Sequence, residues 1–287
     1  MIGDKLLVLG ATGNVGGELF RQLRAAGADV RAAVRDPVHA QLPDGADAIA
    51  ADFTAPATIA AAAAGVRAAF VLAGRHDLAG LLSALRGAGV ERVVVLTSRS
   101  VIGRVPGNAV ADMWAVAEDA VRASGLAWTL LRPSGFMSNA LRWRPELAAG
   151  DVVRMPFADV PIAAIHPADL AGVAAAALTD RGHAGHSLEL SGPAALLPAE
   201  QLATLGRVLG RALRIEPLTG DAARTALARV FPPAFVDAQL RFFEAGEFDD
   251  ARVVSTVHDV LGRPPRTFDQ WAAAHAAAFG HPRTARG

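Results

Sequence analysis

The sequence predicts an α/β fold, a doubly wound parallel sheet that carries a smaller C-terminal α/β region. Three observations lead there. Short unbroken apolar runs alternate with stretches of helical periodicity through the first half of the chain. A glycine triplet stands where the first run gives way to the first helix. Beyond residue 133 the alternation breaks, and a second, shorter set of elements follows. At 287 residues, 52% hydrophobic and 20% charged, the chain can bury one large core with an appendage, and a disordered chain is excluded.

Leu6-Leu-Val-Leu9 is continuous, apolar and bounded by glycine, as a strand buried on both faces of a parallel sheet must be. Residues 15–26 follow with Leu19, Phe20 and Leu23 at helical spacing, and Gly27 ends that helix. Further strands are expected over 30–34, 46–50, 68–72, 92–97 and 127–131, with helices over 55–64, 77–88 and 109–123. Residues 133–161 read as irregular and bear Phe136, Trp143 and Phe157. A helix starts at Pro167, where the missing N–H costs nothing and Asp169 in the first turn complements the helix dipole. The remainder reads as a strand over 187–190, a helix over 198–209, a strand over 212–217 and helical segments to about 279. The expected division is 1–182 for the sheet domain and 183–287 for a smaller substrate-side or lid region, with the loop 134–161 contributing to the latter.

Composition removes several functions. Lys+Arg and Asp+Glu are 28 each, so the basic excess that supplies phosphate affinity is missing and no nucleic-acid partner is expected. With no cysteine there are no disulfides, thiolate nucleophiles or Cys-ligated metals. There is no tyrosine, and Lys5 is the one lysine among the 28 basic residues. His183 and His186 lack a carboxylate cluster, so no metal is expected. No G-x-S-x-G elbow and no G-K-[ST] phosphate loop occur. The apolar stretch 55–74 contains Pro56, Gly65 and Arg67 and is too interrupted to span a membrane. The N-terminal stretch shows no export signal, so a soluble, cytoplasmic protein is expected, of open oligomeric state.

Gly10-Ala-Thr-Gly13-Asn-Val-Gly16 lies between the first strand and the first helix, the position of the dinucleotide-binding Rossmann fingerprint. Gly10 permits the tight turn, Gly13 the approach of a pyrophosphate, and Gly16 close packing of helix on strand. Arg35 ends the second strand, where a guanidinium pairs bidentately with a 2′-phosphate and favours NADP(H); Asp36, next to it, keeps NAD(H) open. Asp52 and Phe53 follow the third strand, placed to meet the adenine.

Together with Val34-Arg35-Asp36-Pro37, Val93-Val-Val-Leu-Thr97-Ser98 and Ser124-Gly-Leu-Ala-Trp-Thr-Leu-Leu-Arg132-Pro133, this loop resembles the NmrA-like group of atypical short-chain dehydrogenase/reductases. Ile165-His-Pro-Ala-Asp169, Leu188-Glu-Leu-Ser-Gly192-Pro and Gly262-Arg-Pro-Pro-Arg-Thr-Phe268 are similar to later segments of that group. The resemblance implies cofactor contacts at Gly10, Thr12, Gly13, Asn14, Val15 and Arg35. It implies that Leu72, Ala73, Gly74, Thr97 and Ser98 line the ribose and nicotinamide. It further implies that the segment from Pro133 through Gly135, Phe136 and Met137 closes over the ring.

In the wider superfamily a Ser and a Tyr-x3-Lys pair donate a proton to the substrate. Here only Ser98 remains, and the helix 109–123 offers Asp112, Trp114, Glu118 and Asp119, with Glu118 and Arg122 reading as a surface i,i+4 pair. The candidate catalytic residues are Ser98, Trp114 and His166; at His166 a structural role at the helix start stands beside that of replacement acid. An acceptor that stabilises its own charge, such as a quinone or conjugated carbonyl, suits hydride transfer without that pair. Trp114, Phe136, Met137, Trp143 and Phe157 suit a flat, aromatic or quinone-like small molecule. The alternative from another class is a redox sensor that binds NADP(H) and acts through a partner protein without turnover.

Overall fold

The computed structural model describes residues 4–74 and 77–280. The first three residues, part of the stretch read as lacking an export signal, lie outside the described residues. Seven strands form the central sheet: β1 (Leu6–Leu9), β2 (Val30–Val34), β3 (Asp47–Ala50), β4 (Ala68–Leu72), β5 (Arg92–Leu96), β6 (Ala127–Pro133) and, after an intervening strand, β8 (Ser187–Leu190). All pair in parallel, in the order β3-β2-β1-β4-β5-β6-β8.

The unbroken apolar runs are explained by burial on both faces. Leu7, Leu9, Val93 and Val95 enter one core layer, while Leu6, Val8, Val94 and Leu96 enter the other, the period of two that a pleated strand imposes. Helices α2 (Pro56–Ala62), α3 (Leu78–Gly87) and α4 (Ala109–Ala123) cover the first face through Ile59, Leu81, Leu85 and Val121. The other face is covered by α1 (Gly16–Ala25) and α6 (Pro167–Thr179), through Leu19, Phe20, Leu170 and Val173.

Two sequence expectations need correction. The stretch 133–161 is not irregular throughout: a 3-10 segment over Met137–Trp143 leads into α5 (Arg144–Ala149) and then β7 (Val152–Pro156). That strand escapes recognition because its partner is distant, β9 (Arg214–Leu218), and only Val153 of its five residues is buried. The strand expected over 187–190 within the smaller region is β8, which extends the large sheet beside β6. Beyond it, α7 (Pro198–Leu209) and α11 (Phe268–His275) build a third core with Trp143, Leu147 and Val153. The remaining helices are α8 (Gly220–Ala228), α9 (Pro233–Phe243) and α10 (Thr256–Leu261). α9 reaches α4, and α10 packs on α6.

One buried carboxylate ties the C-terminal stretch to the sheet domain. Asp169, in the first turn of α6, has a fully buried side chain. The Arg266 backbone N–H donates to it at 2.6 Å, the Arg266 guanidinium also binds it, and Arg263 lies 2.8 Å away. Breaking a buried ion cluster on one side is costly because the remaining charges lose their counterion. Asp169→Ala is therefore expected to lower the unfolding free energy by about 3 kcal/mol, measured as a shift of the urea midpoint.

Candidate active site

The glycine loop folds as the close approach of its backbone demands. Gly10 has φ +72°, a left-handed conformation that an L side chain resists. Its N–H donates to Ala33 at the end of β2, and its carbonyl accepts from Gly13 at 2.9 Å. A Cβ on Gly16 would stand 2.3 Å from the Gly10 oxygen, so any side chain there would force helix and loop apart. No side chain caps the start of α1. Thr12, Gly13 and Asn14 are exposed around those N–H groups, while Val15 is buried beneath them. Uncapped donors at the positive end of a helix fit a pyrophosphate.

Arg35 is exposed at the end of β2, and its charge reaches Asp52 after β3. The Asp52 carboxyl is held below the usual range chiefly by the N–H and hydroxyl of Thr54. Phe53, half-buried, packs against the core beside it. Asp36 is engaged by His39, whose Nδ1 lies 2.7 Å from Oδ2.

At the carboxyl ends of β4, β5 and β6 opens a cleft of about 330 Å³. Ala73, Thr97, Ser98, Pro133, Gly135 and Phe136 line its floor, and Trp114, Phe242, Phe243 and Phe248 its walls. Such a position, outside the carboxyl edge of a parallel sheet, is where this fold binds ligands. Leu72 sits next to the cleft, its Cδ1 2.8 Å from where a Gly10 Cβ would be, and Gly74 follows in the same loop. A wider depression of about 570 Å³ is lined by Leu141, Arg144, Leu147, Arg211 and Phe279, away from the glycine loop and the strand ends.

Glu118 is not the surface charge its spacing suggests; it is buried, 1% exposed. Arg132 of β6 binds it with both arms of its fork (2.8 Å for Nε), Arg122 donates at 2.7 Å, and the Thr97 hydroxyl at 3.1 Å. Burial works to raise the Glu118 carboxyl, but these donors, Arg132 foremost, outweigh it and hold the group below the ordinary range. The cluster locks α4 to the ends of β5 and β6 and so sets where Trp114, one turn earlier, meets the cleft.

The other predicted residues divide. The Ser98 hydroxyl lines the cleft, donating to the Ser100 hydroxyl at 3.1 Å and accepting from the Ser100 N–H at 3.2 Å. The Thr97 hydroxyl is committed to Glu118 and to the Leu131 carbonyl. Met137 and Trp143 are buried in the C-terminal core. Phe157 packs at a tilt against Phe243 with centroids 5.0 Å apart. His166 is not among the lining residues; it caps α6, its Nδ1 accepting from the Ala168 N–H at 3.0 Å. Burial pushes its imidazole down to about 4, so it is neutral at neutral pH and offers no proton.

Among the lining residues that escaped the sequence reading are the polar Asn139, Arg142, Gln239 and Asp250 and the aromatic Phe242, Phe243 and Phe248. Asn139 and Arg142 belong to a 3-10 segment without periodicity, and Asp250 lies in a loop 115 residues beyond its partner Gly135. No local pattern marks such a pairing. Among the described residues no cluster could hold a metal ion, and no helix is long and apolar enough to cross a membrane.

A family model described as NAD(P)H-binding matches residues 10–181. The chain is 40% identical over 279 residues to a (4-alkanoyl-5-oxo-2,5-dihydrofuran-3-yl)methyl phosphate reductase of Streptomyces griseus, covering 96% of this chain and 99% of the relative. It is 35% identical over 286 residues to an NAD(P)H azoreductase of Xenophilus azovorans, again covering 96% of this chain and 99% of the relative. The crystal structure of an NADPH-dependent quinone oxidoreductase from Escherichia coli superposes with a TM-score of 0.74 at 24% identity, over 94% of this chain and 98% of the other. That last likeness is one of fold.

The Glu118 cluster yields a pH signature. Because its folded pKa is depressed, its contribution is present above the unfolded value near 4.5 and is lost as pH falls through the lower folded value. Glu118→Gln is expected to cost about 2 kcal/mol of unfolding free energy at pH 7. The gap to wild type should narrow on acidification below pH 4.5, followed by chemical denaturation at each pH.

Proposed function

Because the chain belongs to the NAD(P)H-binding family and is an NAD(P)H-dependent oxidoreductase like its named relatives, we propose that it stands in an NmrA-like branch of that family and that its acceptor is a quinone-like or conjugated carbonyl compound. The observation that carries this is the cleft itself: aromatic walls at the strand ends and no tyrosine or lysine beside Ser98. The chain's one lysine, Lys5, pairs instead with Asp47 at 2.7 Å.

The residues present fit the dinucleotide. Gly10, Thr12, Gly13, Asn14 and Val15 would hold its pyrophosphate on the uncapped start of α1. Asp52 and Phe53 would flank the adenine. Leu72, Ala73, Gly74, Thr97 and Ser98 would line the ribose and nicotinamide, with Pro133, Gly135 and Phe136 over the ring. When bound, the reduced nicotinamide supplies hydride. Arg35 supports a preference for NADP(H), since an exposed guanidinium at the end of β2 can form a bidentate pair with a 2′-phosphate. NAD(H) remains usable through the shared contacts. Val110 and Trp114, one turn apart on α4, exclude water and orient a flat acceptor together with Phe243 and Phe248.

The Streptomyces relative's name describes an unsaturated lactone bearing a phosphate. An acceptor of that class would meet Arg142, the one cationic side chain among the described lining residues, with Asn139 beside it. Asn139 and Arg142 of the loop 134–161, with Gln239, Phe242, Phe243 and Phe248 of the C-terminal region, serve as the substrate-side cover.

Two measurements test this reading. Steady-state NADPH oxidation with a panel of quinones, conjugated lactones and azo compounds should show turnover on at least one class; tight cofactor binding without turnover on any would favour the sensing role. Arg35→Ala should weaken NADPH binding about tenfold, the worth of a charge-assisted pair, with less than about a twofold change for NADH. Equal loss for both would remove the assignment.

A further inference from the structure

The proton that accompanies hydride transfer has no evident donor among the residues usual to such sites. Asp250 is different from every other carboxylate near the cleft. It lines the cleft yet is only 6% exposed. One oxygen, Oδ2, accepts from the Gly135 N–H at 3.0 Å, in the segment proposed to close over the nicotinamide. The other, Oδ1, is buried and, among the described residues, without a hydrogen-bond partner. Leaving a buried polar atom unsatisfied costs free energy, so a site that keeps one invites a use for it.

The loop that carries Asp250 does not need this carboxyl to stay in place. The Ala163 N–H donates to the Asp250 backbone carbonyl at 2.8 Å, and the Val254 N–H donates to Ser191 Oγ at 2.9 Å. Arg99 donates to the Arg252 carbonyl at 2.7 Å, and the Arg252 guanidinium binds Glu189. The backbone is thus fixed against the sheet edge by four other contacts. There is also no room to replace the group's neighbour: a Cβ on Gly135 would lie 2.9 Å from Ile162 and 3.3 Å from Asp250 Oδ2.

Resting on the reductase reading above, we propose that Asp250 is the proton donor of the reaction, its carboxyl delivering a proton to the acceptor after hydride arrives. For a conjugated carbonyl, a C–H bond of the reduced nicotinamide would break as its hydride forms a C–H bond at the β-carbon, and the π electrons move to the carbonyl oxygen. The O–H bond of Asp250 then breaks, its proton bonds to the α-carbon or oxygen, and the carboxylate regains a proton from water. The acceptor gains two hydrogens, and the only oxidised species is the dinucleotide.

The electrostatics agree with this role. Burial drives the Asp250 carboxyl up to about 7 and Asp249 adds to the rise, while the Gly135 N–H and the Arg99 charge oppose it. Arg252 and Glu189 are further charged groups at this corner, Glu189 lying 3.9 Å from Arg99, and Arg142 lines the same cleft. A group poised near the working pH is the most effective general acid.

Carbon-13 labelling of the aspartate carboxyls, read by NMR on the ligand-free full chain, tests the premise without turnover. One aspartate should titrate near neutrality in wild type and be missing from Asp250→Asn. If every aspartate titrates below pH 5, the proposal is overturned, whether or not the variant folds. In kinetics with an acceptor that wild type reduces, kcat/KM should fall tenfold per pH unit above about 7, and Asp250→Asn should cost at least about a hundredfold and abolish that limb. NADPH binding by the variant should stay within about twofold of wild type. Unchanged kcat and pH profile in Asp250→Asn would sink the donor role while leaving the reductase intact. Absence of turnover by wild type on every acceptor would instead sink the underlying reading.

Discussion

A carboxylate cannot be taken out of water alone, and the burial of Glu118 is the constraint from which the substrate side of this molecule is organised. Its partners come from three places: Arg122 on its own helix, Arg132 near the end of β6, and Thr97 just past β5. Satisfying the charge therefore fixes the angle of α4 over two strand ends. Once that angle is set, Trp114 and Val110 face the opening, and the segment after β6 must leave the sheet through Pro133 to Gly135. Asp169 plays the same part on the opposite face, holding the 263–266 stretch over the start of α6.

The large sheet was legible from sequence for a physical reason. Strands buried on both faces are continuous apolar runs, and the glycine loop declares where the first one ends. Its edges were harder. β8 is only partly buried, so its short run could not reveal that it pairs with β6. β7 is mostly half-buried and β9 mostly exposed, and neither carries a local signature of the other.

The candidate site was legible where chemistry follows chain order and obscure where it depends on long-range meeting. Gly10 to Gly16, Arg35, Ala73, Ser98 and the Pro133–Phe136 turn follow from their places beside strand ends, and Trp114 from its place on the helix α4. Glu118 was misread because an i,i+4 acid–base pair looks the same in water and in a protein interior; only Arg132 on a neighbouring strand distinguishes them. Met137 and Trp143 carry the right chemistry for an aromatic wall but turn toward the third core, and that wall is supplied instead by Phe242, Phe243 and Phe248 from a helix and loop a hundred residues away.

The absence of phenols from this chain has an optical consequence. Its ultraviolet emission arises from four indoles alone. Trp143 and Trp271 are sealed in the interior, the latter stacked on His275, and Trp128 lies under Arg122 on the sheet's flank. Only Trp114 borders the opening. A reduced pyridine ring absorbs where indoles emit, so occupancy of the crevice should register as quenching weighted toward one identifiable chromophore, and the unlabelled polypeptide becomes its own reporter.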